Sequence, residues 1–260
     1  MSPEFIGILP AAGLGTRLHP SLYPKELLPV AFAAEGESRE VRPALAIELA
    51  LHAMRSAGVT RCHVIVSEAK WEILRYLGDG QRFGLDVAYL MQVEPRGLAD
   101  AVDQAYAWTK AANVCMVMPD TVLEPRDAVG QVMAQLVAQS ADLVLGVFPA
   151  EHPERLGPVR FAADGRVFEV LEKPEVTDLR HVWGVAAWTP AFSELLHQTL
   201  TGAAREAHPS LSPIFDLAIR QGMNVRAHHF PAGLYIDIGT PEGLRNALTY
   251  AVRGLAGSGS

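Results

Sequence analysis

The first 150 residues alternate short β-branched, apolar runs with longer segments of helical periodicity. The apolar runs occupy residues 5–10, 61–67, 85–91, 114–118 and 142–148, and the helical segments cover 43–57, 97–112 and 126–139. Strand–helix–strand repeats place neighbouring strands in parallel and pack helices on both faces of one sheet. The sequence therefore predicts an α/β fold with a Rossmann-like, mostly parallel mixed sheet.

The pattern changes after about residue 150. Predicted strands at 159–161, 167–171, 182–188, 225–230 and 234–236 are interspersed with helices at 190–201, at 210–221 and from Thr240 onward. This order predicts a smaller α+β lobe packed on the first unit. We expect one domain over 1–256, with parts at about 1–150 and 151–256, and a flexible tail at 257–260. Residues 31–42 show no period and predict an exposed loop.

Composition narrows the class of protein. The chain has 22 Lys plus Arg and 29 Asp plus Glu, a net charge of −7, which argues against a general nucleic-acid binder. No apolar run approaches the roughly 18 residues of a membrane span, and the N-terminus lacks the basic region of a signal peptide. Cys62 and Cys115 each lie in an apolar run, which predicts buried, reduced thiols and a cytoplasmic location.

A glycine-rich loop follows the first predicted strand, in the sequence LPAAGLGTR ending at Arg17. Free backbone N–H groups in such a loop can bind phosphate oxygens. The loop lacks the Gly-Lys-Ser/Thr triplet of a P-loop. A dinucleotide fingerprint would need a third glycine where Leu18 stands, which opposes a dehydrogenase-like protein. A phosphate loop followed by Arg17 and, eight positions later, Lys25 remains.

The motifs together resemble the sugar-1-phosphate nucleotidylyltransferases, particularly the glucose-1-phosphate thymidylyltransferases and the bacterial UTP–glucose-1-phosphate uridylyltransferases. The resemblance covers about residues 5–250. Its matching segments, in family order, are GLGTRLHP at 13–20 with PKELLP at 24–29, QVEPRGLADA at 92–101, MPD at 118–120, GPV at 157–159 with EKP at 172–174, and YIDIGTPE at 235–242.

The resemblance implies a role for each matching residue. It assigns Arg17 and Lys25 to catalysis, with Arg17 on the departing pyrophosphate and Lys25 on the α-phosphate. It assigns Asp120 and Asp237, each at a strand end, to Mg²⁺. The nucleotide-binding set is Ala12, Gly13, Leu14, Gly15, Thr16, Gln92 and Gly97, and the sugar-phosphate set is Gly157, Glu172, Lys173 and Gly184.

These roles form a consistent reaction. A sugar 1-phosphate is largely dianionic at neutral pH, so its attack on the α-phosphorus of a nucleoside triphosphate needs no general base. The site must supply charge neutralisation and in-line positioning. The Gln92 amide both donates and accepts, so it can pair with the O4 and N3–H groups that uracil and thymine share. UTP or dTTP, with glucose 1-phosphate, is therefore the expected substrate pair.

Two features depart from the family. The interval between Arg17 and Lys25 is shorter than usual, and residues 31–42 read as an insertion. The alternatives are a CTP- or GTP-dependent enzyme for another sugar or a cyclitol phosphate, and a non-catalytic nucleotide-sugar-binding regulator. The sugar, the pathway and the oligomeric state, dimer or tetramer among the possibilities, stay open.

Overall fold

The computed structural model describes residues 4–18, 23–35, 40–202 and 209–257. Its strands are Phe5–Pro10 (β1), Pro29–Glu35 (β2), Glu40–Leu45 (β3), Arg61–Val66 (β4), Asp86–Met91 (β5), Asn113–Val117 (β6), Thr121–Glu124 (β7), Leu143–Pro149 (β8), Val159–Phe161 (β9), Val167–Val170 (β10), His181–Trp188 (β11), Val225–His229 (β12) and Leu234–Asp237 (β13). Its helices are Ala46–Ser56 (α1), Trp71–Leu77 (α2), Leu98–Asp103 (α3), Tyr106–Thr109 (α4), Ala128–Ala138 (α5), Pro190–Thr201 (α6), Ser212–Arg220 (α7) and Pro241–Gly257 (α8).

A seven-stranded sheet in the order β12-β8-β11-β6-β1-β4-β5 forms the centre of the fold. Strand β11 runs antiparallel to both neighbours, β6 and β8, and every other pairing in this sheet is parallel. The predicted α/β class with a mostly parallel mixed sheet is therefore confirmed. Strands β11 and β12 come from the chain beyond residue 150, so both parts of the sequence contribute to the central sheet.

Alternating side chains of the central strands build one apolar core on each face of the sheet. On β6, Val114 and Met116 face the core that α3, α6 and α7 cover, whereas Cys115 and Val117 face the core under α1, α2 and α5. This alternation follows from the two-residue period of a strand whose two faces are both covered. Cys62 and Cys115 are buried free thiols, as predicted, and burial raises the pKa of both.

The prediction of an exposed loop over residues 31–42 is wrong. Strands β2 and β3 pair antiparallel, from Pro29 opposite Leu45 to Glu35 opposite Glu40, and residues 36–39 lie outside the described part of the chain. The hairpin is held by backbone pairing, which needs no alternation of polar and apolar side chains. Because β3 extends to Leu45, the helix predicted over 43–57 begins only at Ala46.

Three further differences concern single elements. The helix predicted over 97–112 is divided into α3 and α4, and neither α2 nor β7 was predicted. Strand β7 pairs antiparallel with β13, outside the central sheet. Among the residues that the structure describes, no helix combines the length and apolarity that a bilayer span requires.

Candidate active site

A cleft of about 340 Å³ opens where β1 and β6 end. Open α/β sheets bind ligands at this carboxyl edge of their parallel strands. All seven residues of the predicted nucleotide-binding set line the cleft, together with Lys25 and Asp120. The complete lining is Pro10, Ala12, Gly13, Leu14, Gly15, Thr16, Lys25, Glu26, Gln92, Pro95, Gly97, Leu98, Ala101, Met118 and Asp120.

The glycine-rich loop is hydrogen-bonded to the sheet at its start, and the glycines that follow have space around them. The Ala11 N–H donates to the Ile65 carbonyl across 2.7 Å, which continues the β1–β4 ladder. A Cβ added to Gly13 would meet no atom within 4 Å, and Gly15 has a φ of +65°, in the left-handed region. The loop therefore exposes its backbone to the cleft at a position where glycine is favoured.

Lys25 and Asp120 form a buried, hydrogen-bonded ion pair in the cleft. Lys25 begins the short 3-10 turn Lys25–Leu27, and Asp120 lies between β6 and β7. Burial by itself would lower the pKa of Lys25, but the carboxylates of Asp120, Glu26 and Asp237 together raise it. Lys25 thus stays charged in the cleft. The shortened segment between Arg17 and Lys25 still lets the Lys25 side chain reach the cleft.

Arg17 and Asp237 form a second ion pair, with 3.4 Å between Nη2 and Oδ2. The Gly239 N–H donates to the other carboxylate oxygen of Asp237 across 2.7 Å. A Cβ on Gly239 would lie 2.8 Å from Arg17 Nη2, 2.8 Å from Asp237 Oδ1 and 3.4 Å from Lys25 Nζ. Both cations and Asp237 therefore converge around this glycine.

Strand pairing brings the two aspartates into the same region. Asp237 ends β13 opposite Thr121 of β7, directly after Asp120. The Ile238 N–H also donates to the Asp120 carbonyl across 3.0 Å. The two aspartates are far apart in sequence, and the short β7–β13 ladder holds them close together in the fold.

The residues present fit a magnesium ion. Mg²⁺ prefers oxygen ligands and is usually bound by one or two carboxylates together with substrate phosphates. Asp120 and Asp237 supply two carboxylates beside the phosphate loop. Within the described ranges no three His, Cys, Asp or Glu side chains converge as a complete protein-only metal site. This donor set suits an ion that binds with its nucleotide.

Three of the four predicted sugar-phosphate residues, Gly157, Glu172 and Lys173, lie at a second group of contacts. The Trp183 Nε1–H donates to Ser212 Oγ across 3.0 Å, and the Ser212 hydroxyl donates to Glu172 Oε2 across 2.7 Å. Lys173 Nζ lies 3.3 Å from Glu172 Oε1. Lys173 also has a φ of +42°, which strains a non-glycine residue and is typical of functional sites.

The two predicted sugar-site glycines make room for aromatic rings. A Cβ on Gly157 would lie 2.2 Å from Trp183 Nε1, and one on Gly184 would lie 2.6 Å from Tyr235 Cδ2. Tyr235 precedes Asp237 by two residues on β13, so the contact at Gly184 lies beside the strand that ends at this predicted metal ligand. Larger residues at either position would displace an aromatic side chain.

The Gln92 amide is already committed on one side. Its Nε2 donates to Asp100 Oδ2 across 2.9 Å and to the Gly97 carbonyl across 3.1 Å. Both amide hydrogens are therefore used within the protein, and Oε1 is the atom left for a nucleobase. This differs from the sequence-based expectation that the amide would both donate to and accept from the base.

Sequence reasoning missed four polar residues around the site. Glu26 and Lys70 form a buried ion pair, with Lys70 Nζ 2.8 and 2.7 Å from the two Glu26 carboxylate oxygens. Burial raises the pKa of Glu26, against the lowering effect of Lys70. Asp100 stands inside the QVEPRGLADA segment and could have been singled out there, whereas Ser212 and Lys70 carry no motif.

Comparison with known proteins finds several relatives, among them a glycan biosynthesis nucleotidyltransferase and a glucose-1-phosphate thymidylyltransferase. The chain is 27% identical over 248 residues to the low-salt glycan biosynthesis nucleotidyltransferase Agl11 of Haloferax volcanii, which covers 93% of this chain and 64% of the relative. It is 31% identical over 172 residues to the glucose-1-phosphate thymidylyltransferase of Neisseria meningitidis, with 65% and 56% covered. The chain thus spans less than two thirds of the length of either relative.

A solved structure shares the fold over almost the whole chain. A UDP-glucose pyrophosphorylase complexed with UDP-glucose superposes with a TM-score of 0.78 at 18% identity, covering 96% of this chain and 99% of the other. The sequence profile described as "Nucleotidyl transferase" matches residues 6–252. Because that match spans the glycine-rich loop and the residues of both ion pairs, the chain belongs to the nucleotidyl transferase family.

Proposed function

We propose that this protein joins a nucleoside triphosphate, UTP or dTTP, to a sugar 1-phosphate, releasing pyrophosphate. Glucose 1-phosphate is the expected sugar phosphate. The observation that carries the proposal is a cleft lined by the glycine-rich loop, Lys25 and Asp120, with the Arg17–Asp237 pair meeting Lys25 at Gly239. Two cations and two carboxylates match the demands of nucleotidyl transfer.

The transfer makes one bond and breaks one. An oxygen of the sugar phosphate attacks the α-phosphorus, a new P–O bond forms, and the α–β bridging oxygen leaves with pyrophosphate. No proton has to be removed from a dianionic nucleophile. In this proposal the largely buried, charged Lys25 stabilises the negative charge at the α-phosphate, and the more exposed Arg17 holds the pyrophosphate.

Mg²⁺ belongs to the proposal through Asp120 and Asp237. Bound there, the ion would neutralise phosphate charge and hold the triphosphate in place. Each carboxylate is paired with a cation of the protein, and with the carboxylates on a bound ion Lys25 and Arg17 would be available to the substrate phosphates.

The second group of contacts is the proposed binding site for the sugar phosphate. Ser212 fixes the Glu172 carboxylate, which can then accept hydrogen bonds from sugar hydroxyls, and Lys173 supplies a positive charge for the phosphate. The solved relative with UDP-glucose and the thymidylyltransferase relative support a uridine or thymidine nucleotide with glucose 1-phosphate. A cytoplasmic location and a homo-oligomeric state stay predictions.

A substrate matrix tests the proposal. Purified protein with MgCl₂ is incubated with each of UTP, dTTP, CTP, GTP and ATP against a panel of sugar 1-phosphates, and pyrophosphate release is recorded. We expect the highest kcat/KM for UTP or dTTP with glucose 1-phosphate. Highest turnover with CTP or GTP would select the alternative class of enzyme. Nucleotide-sugar binding without pyrophosphate release in any combination would identify a regulator instead.

A further inference from the structure

We infer that Asp100 is a positioning residue that fixes the Gln92 amide, so that the site favours a base whose ring nitrogen facing Gln92 Oε1 carries a hydrogen. The inference rests on the proposed function, because it assigns Gln92 to the nucleobase. Asp100 itself stays out of contact with the base and acts through the side chain that it holds.

Both side chains are buried and bonded to each other. Gln92 is 4% exposed and Asp100 is 6% exposed. Gln92 Nε2 lies 2.9 Å from Asp100 Oδ2. Gln104 Nε2 reinforces the arrangement by donating to the Asp100 carbonyl across 3.2 Å and lying 3.5 Å from its Oδ2. The Asp100 carboxylate is thereby held in place by a residue at the end of its own helix, α3.

Asp100 lies behind Gln92 as seen from the cleft. Gln92 lines both the main cleft and a smaller hollow of about 230 Å³, whereas Asp100 and Gln104 line only the smaller hollow. Among the described residues none donates to Gln92 Oε1. In the same part of the chain, the fully buried side-chain N and O atoms that lack a hydrogen-bond partner are His63 Nδ1 and Ser67 Oγ, so Oε1 is not fully buried. Oε1 is therefore an accessible acceptor on a side chain that lines the cleft.

The reversed amide orientation is unfavourable for a definite reason. Turning the amide by 180° would place Oε1 against Asp100 Oδ2 and the Gly97 carbonyl, two acceptors with no hydrogen to share. It would also break the Nε2 hydrogen bond to the buried Asp100 carboxylate, and loss of a buried hydrogen bond is costly, more so at a charged group. Asp100, which as a carboxylate accepts only, therefore determines which end of Gln92 meets the ligand.

A fixed Oε1 discriminates between bases by their donors. Uracil and thymine present N3–H, which can donate to Oε1. Cytosine N3 and adenine N1 are acceptors and would oppose Oε1 at that position, so these bases would have to shift to bring their amino groups to it. Guanine N1–H is a donor on a larger ring, so guanine has to be excluded by the space between Pro95, Leu98 and Ala101 rather than by this hydrogen bond. The selected class is a pyrimidine nucleotide with an imino N–H.

The test substitutes Asp100→Asn, which keeps the shape but adds a donor, so that the Gln92 amide can turn. We expect the ratio of kcat/KM for UTP, or for dTTP, to that for CTP to fall at least about fivefold, the effect of one buried hydrogen bond. Asp103→Asn is the matched control, since Asp103 lies on the same helix and pairs with His197. The control ratio should equal that of the wild type. Equal losses with UTP and CTP in Asp100→Asn would show a merely structural role and overturn the inference.

A binding measurement separates this inference from the proposed reaction. Isothermal titration of wild-type protein with UTP, CTP and 3-methyl-UTP, which lacks the N3 hydrogen, needs no turnover. We expect the latter two to bind at least about fivefold more weakly than UTP. Equal binding of UTP and 3-methyl-UTP would overturn the inference even if Asp100→Asn failed to fold. Absence of pyrophosphate release with this binding order intact would overturn the proposed reaction alone.

Discussion

A buried ammonium such as that of Lys25 remains charged because carboxylates surround it, and its charge is then available to a phosphate. We predict that Lys25→Ala lowers kcat at least about a hundredfold while the nucleotide KM changes about threefold or less, because the charge matters most as the α-phosphate reacts. Steady-state kinetics at saturating Mg²⁺ measure both constants. The exposed Lys110→Ala should match the wild type. An unchanged kcat in Lys25→Ala would assign the role to another cation.

Gly239 provides a test of how tightly the charged groups are arranged. A methyl group there would meet Arg17 Nη2 and Asp237 Oδ1 at 2.8 Å, so Gly239→Ala has to move both. We predict a ten- to hundredfold loss of kcat/KM, about the effect of small misplacement in an active site. The unfolding midpoint should stay within about 3 °C, since the displaced groups are side-chain ends.

The helix substitution Gly130→Ala is the matched control for Gly239→Ala. An added Cβ there meets Ala57 Cβ at an ordinary 3.7 Å, so activity should be unchanged. Full activity in Gly239→Ala would mean that Arg17 and Asp237 need not hold the positions that the structure gives them.

At the level of single residues, the sequence predicted which side chains line the cleft better than how they are bonded. Gln92 was identified from its motif, but the hydrogen bonds from its Nε2 to Asp100 and to the Gly97 carbonyl depend on the folded structure and cannot be read from the motif. Glu172 was likewise identified, whereas Ser212, which orients it, lies 40 residues away with no periodic or motif signal.

The β2–β3 hairpin shows why one element could not be predicted. Its strands lie outside the central sheet, and β2 contributes Val30 to a small third core that also contains Ala46, Val122, Ile238 and Ala247. A hairpin paired outside the central sheet lacks the continuous apolar run that marks a strand buried on both faces. The central strands, buried on both faces, gave continuous apolar runs and were found within a residue or two.

Glu48 joins this hairpin to two helices. Its buried carboxylate accepts hydrogen bonds from Arg42 Nη1 at 2.9 Å, from the Leu45 N–H at 3.2 Å and from the Tyr76 hydroxyl. Burial alone would raise the pKa of Glu48, but these donors together lower it. We predict that Glu48→Gln costs about 1–3 kcal/mol of unfolding free energy at pH 7.

The same pKa shift gives the Glu48 prediction a pH dependence. A carboxyl with a depressed folded pKa contributes stability above its unfolded pKa, and that contribution is lost as the pH falls through the folded pKa. Urea unfolding at pH 7 and at about pH 4 should therefore show a smaller difference between wild type and Glu48→Gln at the lower pH. Glu72→Gln, at an exposed position on α2, should be neutral at both. An equal difference at both pH values would contradict the ionised role.

Across the whole molecule, the candidate site is assembled from three distant parts of the chain. Arg17 and Lys25 follow β1, Asp120 follows β6, and Asp237 ends β13. The sequence predicted these strand ends and the sheet that holds β1 and β6. It did not predict β7, whose pairing with β13 places Asp237 beside Asp120. A four-residue strand outside the main sheet gives too short a pattern to be recognised.

The last prediction concerns the metal that this assembly is expected to bind. Because Asp120 and Asp237 are the carboxylates beside the phosphate loop, removal of Mg²⁺ with excess EDTA should abolish pyrophosphate release, and added MgCl₂ should restore it. Asp237→Asn should lower kcat at least about a hundredfold, as expected for loss of a preorganised charged group, and raise the MgCl₂ concentration that gives half-maximal rate. The control is Asp178→Asn, whose carboxylate is exposed and pairs with Arg160. Full activity in EDTA would refute the metal assignment, and an unchanged MgCl₂ dependence in Asp237→Asn would remove Asp237 from it.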